Sequence, residues 1–281
     1  MTKKHFSASQ VMLFGNCGEA YRRRYIMREY MPMGVSQIGG ISFHNMAKRN
    51  FRYKKIYGND LSEKVLKEVV EQNIDSMFEK DIRFNEEEQI RGHEVVKKEL
   101  KEIISNNIPN FLELYRDVVP VEVEQPSVLD HPDWDRSIKY VMDLETAEGV
   151  IYDHKTGKKL KSKNDVDVDM GLTVYSLAYL AKHQKQANKI IVSSFASYIT
   201  PKRKDLVSKC TQIETTRNAK DYEIFFRRVS NIQKCIKAEI FNPAPIGNWA
   251  CQPKFCEYWK NCPYMNNERL LASLETIQGD L

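Results

Sequence analysis

No uninterrupted apolar stretch of this chain approaches the roughly 18 residues of a membrane-spanning helix, which argues against that class. Met1-Thr2-Lys3-Lys4-His5 is not followed by the apolar core of a signal peptide. The expected setting is therefore soluble, intracellular and cytoplasmic, with no membrane partner. Internal repeats and low-complexity linkers are also missing, so neither an array nor a disordered tether is expected. Charge of one sign is not in large excess: 43 Lys and Arg against 38 Asp and Glu give a net charge of +5. Charge alone thus identifies no polyanionic ligand. With 281 residues and 42% hydrophobic content, the chain can bury the core of one large domain. A single domain over residues 1–281 is the expectation.

What is present is sharply placed. Gly149-Val150-Ile151-Tyr152 runs into Asp153-His154-Lys155, ten residues after Asp143. In a strand, Ile151, Asp153 and Lys155 share one face and Val150, Tyr152 and His154 the other. A carboxylate on that face can hold a hard divalent cation. An ammonium two residues on can position attacking water and offset charge developing on a phosphate. An isolated D-x-K is a weak signal, and its plain alternative makes Asp143 a strand-end residue and Asp153 the ion-pair partner of a nearby lysine.

Basic residues gather around this stretch. Arg22, Arg23 and Arg24 lie between Tyr21 and Tyr25; Lys158, Lys159, Lys161 and Lys163 follow Lys155; Lys202-Arg203-Lys204 comes later. Any one cluster reads as solvated charge. Three, two of which flank or follow the D-x-K stretch, point to contact with a phosphate backbone, with Arg22, Arg23, Arg24, Lys158, Lys159, Lys202 and Arg203 as candidates.

Periodicity supplies the frame. Ser7 reads as the N-cap of a short helix, broken near Gly15-Asn16-Cys17-Gly18 and resumed from Glu19 to Arg28. Gly39-Gly40 is expected to open a helix from Ile41 to about Phe51 that carries His44. Residues 61–116 are polar and helix-periodic, an expected insertion or cap. Strands are expected at Val119–Glu124, Ser137–Leu144 and Gly149–His154, then at Lys189–Tyr198, with an edge strand at Val207–Glu214. Helices are expected from Asp169 to about His183 and from Asn218 to Ile240. The result is an α/β fold: a mixed central β-sheet flanked by helices.

In this context the chain resembles the RecB-like branch of the PD-(D/E)XK nuclease superfamily. The resemblance spans nearly the whole chain. Its elements come in family order: Ser7, Ser9, Cys17, Tyr21 and Tyr25; Gly40 to His44; the strand with Asp143; Asp153-His154-Lys155-Thr156-Gly157; and the helix with Tyr175. It implies a restriction-endonuclease-like core, with His44, Asp143, Asp153 and the His154 backbone carbonyl as ligands for Mg²⁺ or Mn²⁺. Lys155 becomes the catalytic lysine, and Tyr175 matches a tyrosine near the DNA backbone. The glutamine that the family carries four residues before that tyrosine is Gly171 here, and Gln184 and Gln186 are too far along the helix to replace it.

Three of six cysteines, Cys251, Cys256 and Cys262, crowd into residues 251–263, which in an intracellular chain suggests a metal rather than disulfides. With Cys17 they resemble the four ligands of a 4Fe–4S cluster in RecB-like exonucleases, CRISPR-associated and AddB-type ones among them. Four residues separate Cys251 from Cys256 where two are usual; the five before Cys262 fit. Zinc on the same thiolates, or buried free thiols, stay open. Cys210 and Cys235 read as ordinary core residues.

The resemblance implies a Mg²⁺- or Mn²⁺-dependent deoxyribonuclease, an exonuclease on single-stranded DNA or DNA ends before an endonuclease. A helicase, a recombinase or a CRISPR-integration partner, a phage origin and any oligomeric state are compatible with it. The alternatives are a DNA-binding or scaffold module of the same fold with reduced catalysis, favoured by Gly171, and a zinc-dependent interaction protein.

Overall fold

The computed structural model describes residues 5–200, 205–245, 247–252 and 255–264. The chain opens with β1 (Phe6–Ser7) and α1 (Ala8–Asn16), which Ser7 caps as expected: its hydroxyl accepts from the Gln10 N–H at 3.2 Å, while the Gln10 side chain accepts from the Ser7 N–H at 2.6 Å. α2 (Gly18–Tyr21) leads into a π-helical turn (Arg22–Ile26), and β2 (Met33–Gly34) precedes α3 (Val35–Tyr57). Then come α4 (Glu63–Phe78), β3 (Ile82–Arg83), α5 (Glu86–Arg91), α6 (His93–Ser105) and α7 (Ile108–Leu114). β4 (Pro120–Val123), β5 (Pro126–Leu129), β6 (Ile138–Val141), β7 (Leu144–Thr146) and β8 (Val150–Gly157) follow. The chain continues through α8 (Lys163–Asp167), α9 (Met170–His183), β9 (Lys189–Ile199), β10 (Leu206–Thr215) and α10 (Ala219–Lys237).

The main sheet has the order β10-β9-β8-β7-β4 and is mixed: β8 and β9 run parallel, and every other neighbouring pair is antiparallel. Its two faces are both covered. Ile151, Ile190 and Val192 point into one core with Val11 of α1, Leu172, Val174 and Leu177 of α9, and Phe225 and Val229 of α10. Leu144, Tyr152 and Phe195 point into a second core with Phe43 and Phe51 of α3, Leu66 of α4 and Phe111 of α7. Alternation along β8 therefore holds, with Ile151 on one face and Tyr152 on the other. α4, α6 and α7, from the polar helical region 61–116, join this second core through their apolar stripes. Lys54 of α3, itself buried, donates to the Tyr115 and Arg116 carbonyls at 2.6 and 2.7 Å and pairs with Asp60 at 3.0 Å, fixing the end of α7 to α3.

Two elements depart from the sequence pattern. The Gly39-Gly40 pair does not open a helix; α3 begins at Val35, six residues before Ile41, and passes through both glycines. A Cβ on Gly39 would lie 3.0 and 3.1 Å from Leu100 and Ile104, so the glycine serves close helix packing rather than termination. The expected strand Ser137–Leu144 is divided: β6 belongs to a small sheet of order β1-β6-β5, and β7 to the main sheet. β5, unforeseen in the sequence, pairs antiparallel with β6.

Phe43 is fully buried against Phe111 and Phe195, with ring centroids 5.9 and 4.9 Å away, next to His44. Phe43→Ala is expected to lower unfolding free energy by about 3–5 kcal/mol, measured by denaturant titration.

Candidate active site

The division between β6 and β7 places Asp143. β7 pairs with β8 at Leu144↔Tyr152 and Glu145↔Ile151, so the next inward donor of β8, the His154 N–H, has no strand opposite it. The Asp143 carboxylate takes that place, Oδ2 accepting from the His154 N–H at 2.7 Å. The same oxygen is 3.2 Å from His154 Nδ1. The imidazole is buried against Phe51, Phe111 and Tyr115, and its Nε2 has no hydrogen-bond partner among the described residues. With apolar rings around one nitrogen and a carboxylate against the other, the hydrogen-bonding proton sits on Nδ1. The His154 side chain thus steers Asp143.

His44 projects from α3, its Nδ1 3.4 Å from Asp143 Oδ1. His44, Asp143 and His154 each bring one potential ligand atom within 4.8 Å of the others. Asp153 lies on the opposite face of β8 from His154, 2% exposed, with both carboxylate oxygens against Lys155 Nζ at 2.9 and 2.8 Å. The plain ion-pair reading and the site reading therefore coincide in one geometry. Asp143 itself does not end a strand, as the sequence pattern implied, but occupies the break before β7.

The electrostatics separate the two acids. Burial pushes the Asp143 carboxyl up, but hydrogen bonds from His154 and His44, and their charge, hold it well below the usual carboxylate range. Burial raises Asp153 to about 6, helped by the Asp143 charge and opposed by Lys155. For His44, burial disfavours the cation, but Asp143 and Asp153 outweigh it and leave the pKa raised. Lys155 is likewise raised: burial works against its charge, and Asp153, Asp143 and Asp169 overcome it. His44, Asp143 and His154 bring three potential ligand atoms together, and the buried Asp153 is near enough to feel the Asp143 charge, so the residues present fit a divalent cation.

Sequence reading missed Glu124 and Lys48. Glu124 has φ 42°, in the left-handed region, where a non-glycine residue is strained. Its N–H donates to the Asp143 carbonyl at 3.2 Å, and its carboxylate meets Lys48 Nζ at 2.9 Å and stands 3.9 Å from His44 Nδ1. The helical spacing from His44 to Lys48 was the available signal. The Tyr175 hydroxyl donates to the Val141 carbonyl at 2.9 Å and so ties α9 to the end of β6, just before Asp143.

The cysteines form a second locus. Cys17 caps α2, its sulfur accepting from the Ala20 N–H at 3.4 Å. Cys17, Cys251, Cys256 and Cys262 form no disulfide and line one cavity of about 700 Å³. Burial raises the Cys251 and Cys256 thiols, and Cys17 and Cys262 add to both shifts. Arg23 and Arg24 border this cavity, and all three arginines of the cluster are already engaged. Arg22 pairs with Glu19 at 2.7 Å, Arg24 pairs with Glu257 at 3.1 Å, and Arg23 pairs with Glu29 at 2.6 Å while donating to the Asn261 carbonyl at 2.8 Å. Lys158 and Lys159 are exposed directly after β8, at the site. Lys202 and Arg203 lie outside the described residues.

The sequence pattern of the PD-(D/E)XK nuclease superfamily matches residues 5–263, and the chain belongs to that superfamily. The mixed sheet flanked by helices is its restriction-endonuclease-like fold. An exonuclease candidate from Eubacterium rectale, a solved structure, superposes with a TM-score of 0.54 at 12% identity, over 92% of this chain and 88% of that one. The structure of SSO0001 overlaps over 88% and 94% at 15% identity, with a TM-score of 0.35, too low to argue from. A comparison with curated proteins gave no match.

A cation must displace the Asp153 proton wherever that proton is bound, that is, below pH of about 6. His44, whose pKa lies above the ordinary imidazole value, must also lose its proton to bind. Mn²⁺ affinity, measured by calorimetry, is therefore expected to rise with pH through the Asp153 and His44 titrations and to fall by about tenfold per pH unit for each of the two groups that becomes protonated.

Proposed function

We propose that the protein is a divalent-cation-dependent deoxyribonuclease acting on single-stranded DNA or DNA ends. The observation that carries this reading is the buried Asp143 and Asp153 pair at the break in the sheet, with Lys155 against it. His44, Asp143 and Asp153, with the His154 backbone carbonyl, would hold Mg²⁺ or Mn²⁺. When bound, the cation lowers the pKa of a water molecule and offsets charge on the scissile phosphate. Lys155 orients the attacking water and neutralises the phosphate oxygens as charge builds on them, His154 keeps Asp143 turned towards the site, and the dry surroundings strengthen both effects. Lys158 and Lys159, exposed beside β8, suit the DNA backbone better than Arg22, Arg23 and Arg24, whose charges are met by carboxylates. The description of the Eubacterium rectale protein as an exonuclease candidate agrees with action from ends.

Four thiols around one cavity suit a thiolate-bound metal, which would displace their protons on binding. The arrangement of one N-terminal and three C-terminal cysteines favours a 4Fe–4S cluster over a single zinc ion. Such a group would be structural and remote from cleavage, joining the N-terminal helices to residues 251–262. After anaerobic purification, a broad visible absorption with about four irons per chain is expected; colourless protein with one zinc per chain rejects the iron assignment.

Asp153→Ala and Lys155→Ala are each expected to lower cleavage of end-labelled single-stranded DNA by about 10³-fold or more without loss of the cooperative unfolding transition. Full activity in either variant sinks the site. Circular single strands left intact while linear ones are degraded would mark an exonuclease. Gly171 favours a second reading, a binding module with reduced catalysis; DNA binding with no cleavage in Mg²⁺ or Mn²⁺ would establish it.

A further inference from the structure

The chain segments that carry Glu124 and Asp143 leave the main sheet together. β4 pairs with β7 at Val123↔Leu144, and beyond the break β5 pairs with β6 at Pro126↔Val141. Both pairs belong to one register, so β4–β5 and β6–β7 form a single antiparallel ribbon that bends from the main sheet into the small one. In that register Glu124 stands opposite Asp143. The bend begins at this rung: Glu124 takes a left-handed backbone, φ 42°, and its N–H still reaches the Asp143 carbonyl at 3.2 Å.

Two carboxylates directly opposite each other on a ribbon repel. Here both face one side chain of α3. His44 Nδ1 lies 3.4 Å from Asp143 Oδ1 and 3.9 Å from Glu124 Oε1, so a single imidazole nitrogen meets an acid from each segment. One turn further along α3, Lys48 Nζ meets the other Glu124 oxygen, Oε2, at 2.9 Å. The Glu124 carboxylate thus spans two successive turns of the helix that carries His44.

A corner residue alone needs no such carboxylate. Glycine adopts a left-handed backbone without strain, and a partly exposed ion pair to Lys48 contributes too little to offset the strain of a glutamate there. What the strained backbone secures is the place of the carboxylate beside His44.

We propose that Glu124 is a positioning residue for His44. Its carboxylate keeps the imidazole against Asp143 in one orientation, and Lys48 braces Glu124 and balances its charge. This rests on the nuclease reading of His44, Asp143, Asp153 and Lys155.

Variants of the full chain test it, with Mn²⁺ affinity read by calorimetry, Tm by thermal unfolding, and kcat on single-stranded DNA at a Mn²⁺ concentration equal to the wild-type Kd. Glu124→Gly leaves the N–H bond to the Asp143 carbonyl in place, relieves the backbone and removes only the side chain. It is expected to keep or raise Tm while lowering Mn²⁺ affinity by about tenfold and kcat by about fivefold or more, opposite movements that a merely structural role does not give. Glu124→Gln, whose amide oxygen still accepts from an imidazole N–H, is expected to lose less than Glu124→Gly. Adding Glu124→Gly to His44→Ala should leave Mn²⁺ affinity where His44→Ala alone puts it, because the carboxylate acts through that ring. Wild-type Mn²⁺ affinity in Glu124→Gly, a loss matched by a fall in Tm, or a further loss in the double variant overturns the proposal. If wild type cleaves, such a result removes Glu124 alone. Wild type that binds Mn²⁺ but cleaves nothing removes the nuclease reading, and the affinities of the variants still decide whether Glu124 holds His44.

Discussion

The hydrogen bond from the His154 N–H to the Asp143 carboxylate is the constraint on which the site depends. It stands in for a missing rung of the sheet. Because β6 leaves for another sheet and β7 starts only at Leu144, β8 extends past its partner with a main-chain donor exposed. A buried donor without an acceptor costs about 1–3 kcal/mol, so an acceptor is needed at that point, and a side chain supplies it. The acid is thereby placed by the backbone of β8 itself, one residue from Asp153. Asp143 can be reached from both faces: His44 approaches with α3 on one side of the sheet, and Asp153 and Lys155 stand on the side of α9.

The same arrangement sorts the charges. Asp143 is surrounded by donors, His154 twice and His44 once, and is stabilised as an anion. Asp153 has one cation and a buried face, and its pKa moves the other way. The two acids thus differ in kind: Asp143 is held as an anion by the fold, whereas Asp153 takes up a proton more readily and is paired with Lys155. Tyr175 and Glu124 add rigidity at the same break, one from α9 to Val141 and the other through its N–H to the Asp143 carbonyl.

Much of the frame was legible in the sequence, because the signals were local. Ser7 with Gln10 announced a capping box, the alternation through Asp153 a strand with two covered faces, and the run after Asp169 a helix. The division of Ser137–Leu144 was not legible: the strand residues continue through Met142 and Asp143, and which sheet each half joins depends on partners distant in sequence. Gly39 and Gly40 misled for a related reason, since the packing of α6 that requires a bare backbone is a tertiary fact. Of the site, His44, Asp143, Asp153 and Lys155 could be read in order along the chain. Glu124 could not, because its relevance lies in a left-handed backbone at the end of β4.

The cysteine cavity has a consequence for the order in which the molecule is made. It brings Cys17 together with Cys251, Cys256 and Cys262, so it cannot close until the chain has been synthesised through Cys262. α1 and α2 emerge first and complete their surroundings last, whereas β8 and β9 meet within a short interval of sequence. The N-terminal helices must therefore wait, with Cys17 accessible, while the sheet forms. Closing that cavity is a late fastening, because it waits for Cys262 to meet Cys17.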